Sequence, residues 1–445
     1  MEELLRSKIL VWGYGLEGKS AVDFLLKNNV KNIVVATKDL INEDVKNVKF
    51  IAEDDILKYN FDVVIKSSGV SIYNDICNSL IDRNVKITSL LNILLCKIAE
   101  EKKKVKVIGI TGTKGKSTTV SMLHHILKNM GYRVAILGNI GVSFLDAIDE
   151  LDNYDYLILE LSSCQIATMN CNINYSIILN LFREHIDWHI THENYFRDKI
   201  NIINRSTKVA YNGDNETVVK YINKYSTDNN ANKFLSFGTK NGFHTEDNFI
   251  MYGNKKIIDF NIFKNIRGEH IFRNICGVLT ILQQENINID LALNTLQTFK
   301  TLQHRLYIFY NDEKKGTMFV NDSISTIPEA TIEAIKTFAN NKNSLFLILG
   351  GFDRQQDYSQ LANVIFQHKD KIKKIFLVGQ TAERLNAILA DKINCTKYSN
   401  YEDLVKAIKA NDLTNTTVLL SPAAASYDMF KNFEERGKTF EKLML

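Results

Sequence analysis

The sequence predicts an α/β protein with three domains in tandem. Three observations carry this. Short apolar runs of strand length recur along all 445 residues and alternate with stretches whose apolar spacing suits helices. Two of those runs feed directly into glycine turns, at Gly13–Gly18 and at Gly112–Gly115, and a helical stretch follows each turn. The composition, 45% apolar and 24% charged, is that of an ordinary globular protein, and the length supports several cores.

The same composition narrows the function classes. A net charge of +4 is too small to argue for nucleic acid or an anionic membrane surface, and Lys102-Lys-Lys104 reads as a solvated linker. No apolar run approaches the ~18–20 residues of a membrane span. The N-terminus enters a strand and glycine turn by Gly13, unlike a signal peptide. Six scattered cysteines (Cys77, Cys96, Cys164, Cys171, Cys276, Cys395) form no C-x-x-C pair and read as reduced thiols. The expectation is a cytoplasmic, monomeric protein with small-molecule partners, no nucleic acid and no membrane.

In chain order, Lys8–Trp12 is a strand running into Gly13-Tyr-Gly15-Leu-Glu-Gly18, then a helix over Lys19–Lys27 and a strand Ile33–Thr37. This opens a Rossmann-like unit, expected over residues 1–98. A dinucleotide site wants an acidic residue at the end of the second strand, and that strand ends Val34-Val-Ala-Thr-Lys38, so the fingerprint argues weakly for NAD. A strand Phe61–Ile65 leads into the small-residue loop Lys66-Ser-Ser-Gly-Val70, and helical sequence fills residues 90–100.

The second unit, of P-loop ATPase type, is expected over residues 99–302. Its strand Val105–Ile110 enters Gly112-Thr-Lys-Gly115-Lys-Ser-Thr118, followed by a helix from Thr119. The nearest fit to a phosphate loop is Gly112-x-x-Gly-Lys-Ser. The glycines let backbone N–H groups turn inward, Lys116 reaches terminal phosphates and the Ser117 hydroxyl holds Mg²⁺. Strands follow at Arg133–Leu137, Tyr156–Glu160 and Ser176–Asn180. Glu160 stands where such folds place a second Mg²⁺-directed carboxylate. The run His185-Ile-Asp-Trp-His-Ile-Thr-His192 resembles a metal box. Without H-E-x-x-H it reads as one histidine, His185, serving Mg²⁺, with a zinc site as the alternative and His189 and His192 as packing or solvated imidazoles. Polar sequence over 205–260 suggests an antiparallel excursion, and 268–298 reads as helical. The third unit, expected over 303–445 and again Rossmann-like, carries strands at Thr317–Asn321, Ser344–Leu349, Lys374–Val378 and Thr417–Leu420.

Taken in order, Gly112–Thr118, Gly138-Asn-Ile-Gly141, Glu160-Leu-Ser-Ser163, Glu184-His-Ile-Asp187, Tyr195–Lys199, Gly268-Glu-His270, His304-Arg305, Asn321-Asp-Ser323, Gly350-Gly351 and Ser421–Gly437 resemble the Mur ligases, most of all their glutamate-adding branch. The resemblance spans nearly the whole chain and thins in the first 100 residues. It implies an ATP- and Mg²⁺-dependent ligase that adds D-glutamate to UDP-N-acetylmuramoyl-L-alanine through an acyl phosphate, in peptidoglycan precursor synthesis. By position it implies that Gly112, Thr113, Lys114, Gly115, Lys116, Ser117 and Thr118 hold ATP with Asn274, Arg305 and Asp322. Ser117, Glu160, His185 and Lys199 would hold the metal ions, with a CO2-derived carbamate on Lys199. Gly13, Tyr14, Gly15, Leu16, Glu17, Thr37, Ser67, Asn139 and Ser162 would hold the UDP-linked substrate, and Thr326, Arg354, Ser426 and Phe433 the glutamate.

Four positions depart from the family's pattern. Ile324 replaces the lysine of N-D-S-K, Arg354 stands for the lysine expected after Gly350-Gly351, Ile271 replaces an asparagine, and Ser67-Ser-Gly69 replaces S-P-G. Ser323-Ile-Ser-Thr-Ile-Pro-Glu329 is similar to a subclass some of whose members add L-glutamate, so the alternative is the same reaction with that enantiomer. More distant alternatives are an NAD-dependent oxidoreductase and a folylpolyglutamate-synthase-like ligase.

Overall fold

The structure, a computed structural model, describes residues 4, 6–39, 41, 43–182, 184, 186–339 and 342–445. It forms two compact units, Met1–Asp259 with Arg273–Gln297, and Phe260–Phe272 with Thr298–Leu445.

The first unit begins with a five-stranded parallel sheet in the order Val48–Ala52, Ile33–Thr37, Ile9–Trp12, Val63–Lys66, Lys86–Thr88. The central strands are near-continuous apolar runs because both faces are covered, as a parallel sheet requires. The order reverses between Ile9–Trp12 and Val63–Lys66, so Gly13 and the loop from Ser67 flank the switch point. The helix Leu16–Lys27 starts earlier than its spacing suggested, taking up Leu16, Glu17 and Gly18. The two outer strands were not singled out from sequence: one is half-exposed and the other only Lys86-Ile-Thr88.

The helix Leu90–Glu100 buries Leu90, Leu91, Ile93, Leu94 and Leu95. These residues share one core with Val22 and Leu25 of the first sheet's helix and with Phe144 and Ile148 further on. The apolar interior therefore runs without a break from the first sheet into the second.

That second sheet is six-stranded and parallel, in the order Phe234–Phe237, Ser206–Asn212, Ile173–Ile178, Lys106–Thr111, Tyr156–Glu160, Val134–Gly138. Here the expected excursion over 205–260 needs correction. Ser206–Asn212 and Phe234–Phe237 extend the parallel sheet, and only Phe243–Glu246, Phe249–Tyr252 and Lys255–Asp259 form an antiparallel one. Val209 and Ala210 are wholly buried, which polar neighbours such as Lys208 and Asn212 masked in the sequence. The strand expected at 176–180 ends at Ile178, which frees Asn180 for the phosphate loop. The helical stretch after 268 is two helices, Glu269–Gln284 and Ile289–Leu296, separated at Asn286 (φ +55°) and restarted by the Asn288 cap on Leu291 N at 3.0 Å.

The second unit holds a six-stranded sheet in the order Tyr307–Asp312, Thr317–Asn321, Thr416–Leu420, Ser344–Leu349, Ile372–Val378, Cys395–Tyr398. Its first strand is antiparallel and the others are parallel. Phe319, Phe346, Phe376, Val418 and Phe440 fill its core. No helix among the described residues is long and apolar enough to cross a membrane.

Candidate active site

The strand Lys106–Thr111 delivers the chain to a loop that its own sequence forces open. Gly115 sits at φ +87° at the start of the helix Lys116–Asn129, and a Cβ there would lie 2.6 Å from Asn274 Nδ2. The close approach brings Asn274, expected with ATP, against the loop. Gly115 makes no side-chain cap bond at this helix start, whose partial positive charge suits an anion. Asn180 fixes the loop from the other side: its Oδ1 accepts from Lys114 N (2.8 Å) and its Nδ2 donates to Lys114 O (2.9 Å). Thr113 pairs with Tyr195 OH at 2.9 Å, and Lys114 Nζ meets Glu184 Oε1 at 3.0 Å.

Two lysines converge on one carbonyl. Lys116 Nζ donates to Gly112 O (2.9 Å) and Thr113 O (3.0 Å), and Lys199 Nζ donates to Gly112 O at 3.0 Å. Lys199 is 2% exposed. Burial first, and then the Lys116 charge, push its pKa well below the ordinary lysine value, against a smaller pull from Glu184. Beside them, Ser117 Oγ donates to Glu160 Oε1 at 3.2 Å. Glu160 is 4% exposed, and its Oε2 has no hydrogen-bond partner among the described residues. A buried carboxylate oxygen with nothing to accept is costly unless a cation or donor completes it. A hydroxyl and a carboxylate are the hard oxygen donors Mg²⁺ takes, so these residues fit that ion. No group of three or more His, Cys, Asp or Glu side chains suited to a metal occurs among the described residues, which leaves no independent zinc-type cluster there. His185 lies outside the described residues.

The expected uridine-site residues gather at the first sheet's switch point. Gly13 adopts φ +91°, its N–H reaches Ala36 O at 2.9 Å, and its carbonyl accepts from Ser67 Oγ at 3.2 Å. A Cβ on Gly18 would lie 1.9 Å from Gly13 O, so the helix can start this close only with glycine. Gly15 precedes the helix without a side-chain cap, Leu16 is 90% exposed at its first position, Tyr14 packs edge-on against Phe50 and Thr37 Oγ1 turns back onto Asp39 O. Glu17 takes part differently: its oxygens accept from Ser68 N (2.5 Å) and Gln165 Nε2 (3.0 Å). Gln165 closes a capping box with Ser162, so Glu17 joins the first sheet to the turn that carries Ser162. Asn139 is exposed, and its N–H reaches Glu160 O at 3.3 Å.

In the second unit Asp322, Thr326, Arg354 and Ser426 lie on loops after three neighbouring strands, while Arg305 precedes Tyr307–Asp312 and Phe433 opens the helix Phe433–Met444. Asp322 is buried and accepts from Leu306 N (3.1 Å), Ser325 Oγ (2.5 Å) and Ser421 Oγ (2.8 Å). Burial pushes its pKa up to about 6, and those hydrogen bonds and Arg305 hold it from rising further. Thr326 O accepts from Gln356 Nε2 at 3.2 Å, and Phe433 O accepts from Ser323 Oγ at 2.8 Å. Arg354 is exposed, with its guanidinium 5.5 Å from the Tyr427 ring centre, next to buried Ser426. One organising residue was not singled out. Arg436 is wholly buried and donates to Ser323 Oγ and O and to the carbonyls of Ala424 and Ala425, at 2.7–3.1 Å. It clamps the loop after Asn321 to the loop after Leu420. The signal was available, since an arginine in Phe433-Glu-Glu-Arg-Gly437 falls on the apolar face of a helix.

Comparison with known proteins fits this geometry. The family model described as Mur ligase middle domain matches residues 110–282, and one described as C2185-like, N-terminal, matches residues 5–91. Proteins named UDP-N-acetylmuramoylalanine--D-glutamate ligase are similar over the full length. That of Thermoanaerobacter sp. (strain X514) is 33% identical, covering 99% of this chain and 98% of its own. That of Natranaerobius thermophilus is 30% identical, covering 99% and 98%. Among solved structures, a MurF ligase from Thermotoga maritima in complex with ADP shares the fold, with a TM-score of 0.60 at 16% identity over 100% of this chain and 98% of that one.

Proposed function

Because this chain belongs to the Mur ligase family, we propose that it adds D-glutamate to UDP-N-acetylmuramoyl-L-alanine at the expense of ATP, in peptidoglycan precursor synthesis. That it is an ATP-dependent, amide-bond-forming ligase follows from the family; the acceptor and the amino acid are the finer reading. One observation carries it: Lys116, Lys199 and the Ser117–Glu160 pair are gathered at one phosphate loop.

The reaction brings a carboxylate against a triphosphate, so the site must supply positive charge where the phosphoryl group passes. Loop N–H groups and the helix start would cradle the phosphates, with Lys116 swinging from Gly112 O to the terminal ones. Ser117 and Glu160 would hold Mg²⁺, which when bound neutralises charge between donor and acceptor. The alanyl carboxylate takes the γ-phosphoryl and ADP leaves. The neutral amine of glutamate attacks the acyl phosphate, the amide forms and phosphate departs. Lys199 fits the proposed carbamate, since only an uncharged amine captures CO2 and this lysine is driven toward that form. His185 joins the cation set on sequence grounds alone.

The first sheet's switch point would take the uridine diphosphate on Gly13, Tyr14, Gly15, Leu16, Glu17, Thr37 and Ser67, with Asn139 and Ser162 toward the muramoyl end. Thr37, in place of an acid, argues against a dinucleotide there. Arg305 and Asp322 are assigned to the adenosine side, and Thr326, Arg354, Ser426 and Phe433 to glutamate. The proposed division is 1–98, 99–302 and 303–445, and the proposed state is a cytoplasmic monomer. Phosphate release measured with ATP, UDP-N-acetylmuramoyl-L-alanine and each pure enantiomer of glutamate is the test. D-glutamate-dependent release is expected. Release with L-glutamate alone would replace it with the alternative that Ile324 and Arg354 keep open, and no glutamate-dependent release would sink both.

A further inference from the structure

Asp198, the residue before Lys199, is 6% exposed and sits in a largely buried chain of hydrogen bonds. Its Oδ2 accepts from Tyr73 OH at 2.7 Å and lies 2.8 Å from His189 Nδ1. His189 Nε2 lies 2.9 Å from Ser163 Oγ, three residues beyond Glu160. The spacing is that of a Ser-His-Asp hydrolytic triad, but His189 is fully buried and Ser163 nearly so, which leaves an acyl group no approach. The chain instead starts in the first sheet's loop at Tyr73 and ends on the turn that carries Glu160 and Ser162, passing the base of Lys199 on the way.

The same loop is fastened to the same segment by further bonds. Trp188 Nε1 donates to Ser68 O at 2.9 Å, and Ser71 Oγ donates to Trp188 O at 2.6 Å. Lys66, buried at the foot of the loop, donates to Ser67 O and Val70 O with its ammonium 5.2 Å from the Trp188 ring centre. A ligand seated at Gly13 and Ser67 therefore touches a loop whose far end grips the helix His192–Ile200.

We propose that Tyr73 and Asp198 are positioning residues that set Lys199 against the phosphate loop and couple that loop to occupancy of the first sheet's switch point. The inference rests on the ligase reading above. Its mechanism is differential: if the loop Lys66–Tyr73 has one arrangement with a ligand and another without, Asp198 follows it, and the binding free energies of the two sites become linked. Linkage is reciprocal, so either ligand must tighten the other by the same factor.

The test uses the full chain, with UDP and Mg·ADP as probes, each titrated alone and in the presence of the other by calorimetry. In the unaltered protein each ligand should tighten the other by about tenfold. Tyr73→Phe, which removes one hydroxyl and keeps the ring, should leave each ligand alone within about threefold and bring the coupling below about twofold. Asp198→Asn should do the same, and the double variant should lose no more than either, as members of one chain do. In turnover, Tyr73→Phe should lower kcat about tenfold with little change in KM for the UDP-linked acceptor. Coupling that survives Tyr73→Phe, or ligands that bind without coupling in the unaltered protein, overturns the inference and leaves the ligase reading standing. Failure of UDP to bind at all removes both.

Discussion

At the scale of single residues, charge placement separates the groups that bind from those that hold. Arg354 is an exposed cation whose guanidinium lies 5.5 Å from the ring centre of Tyr427, one residue beyond Ser426, and it is assigned to glutamate. Arg354→Ala should raise KM for glutamate by about 30- to 150-fold and KM for ATP far less, since a charge-assisted bond is worth roughly 2–3 kcal/mol. Arg354→Lys should recover part of the loss, because the planar fork is gone; steady-state kinetics with glutamate and ATP varied in turn checks both. Asp322 works the other way. Burial raises its folded-state pKa from 3.8 to about 6, so the folded chain binds this proton more tightly than the unfolded one. Its contribution to stability is fully present below pH 3.8 and is lost as pH rises through about 6. Asp322→Asn should therefore flatten that part of the stability profile, by up to about 3 kcal/mol between the ends of the window. Urea unfolding of both proteins at pH 4 and pH 7.5 measures the difference; parallel profiles would show that Asp322 does not titrate there.

At the scale of elements, sequence periodicity was strongest where strands are buried on both faces. Tyr156–Glu160 and Ser344–Leu349 were readable because apolar residues filled them, and Glu160 stood out as the single acid closing such a run. The edge strands Val48–Ala52 and Cys395–Tyr398 were not, because half-exposed positions accept lysine and threonine and erase the pattern. Candidate-site residues were legible where a local backbone shape demanded them, as at Gly13 and Gly115, whereas Lys199 came from the family resemblance alone, because its burial leaves no mark in the sequence. The Tyr73–Asp198–His189–Ser163 chain was not legible, since its members are distant in sequence and each alone looks like packing. The Arg436 clamp belongs at this scale too. Its helix Phe433–Met444 delivers one guanidinium across two loops, and an ammonium cannot reach the same carbonyls at once. Arg436→Lys should cost about 2–4 kcal/mol in urea unfolding, through carbonyls left without donors, and should raise KM for glutamate as the loops separate. Unchanged stability would mean that the loops hold each other without it.

At the scale of the whole molecule, two parallel sheets and one that is parallel but for its edge strand Tyr307–Asp312 repeat one solution: each has loops carrying candidate residues at carboxyl strand ends, near a reversal of strand order. Topology of this kind was foreseeable from alternating strands and helices. The assignment of segments to compact units was not, because it depends on which faces meet. The segment Phe260–Phe272 packs with the second unit, through Asn265 on Phe299 O and His270 beside Glu333, while the chain before and after it builds the first. This matters for a protein made from one end. Once elongation past Gln297 has carried the first unit clear of the ribosome, that segment has emerged with its stacked Phe260 and Phe272 and has no partner yet. Residues 298–445 take roughly 7–30 s to synthesise at ordinary elongation rates, and for that time the segment must wait. Its aromatic side chains are then a temporary invitation to chaperones or to a neighbouring nascent chain, at a moment when the phosphate-binding half of the enzyme is already in place.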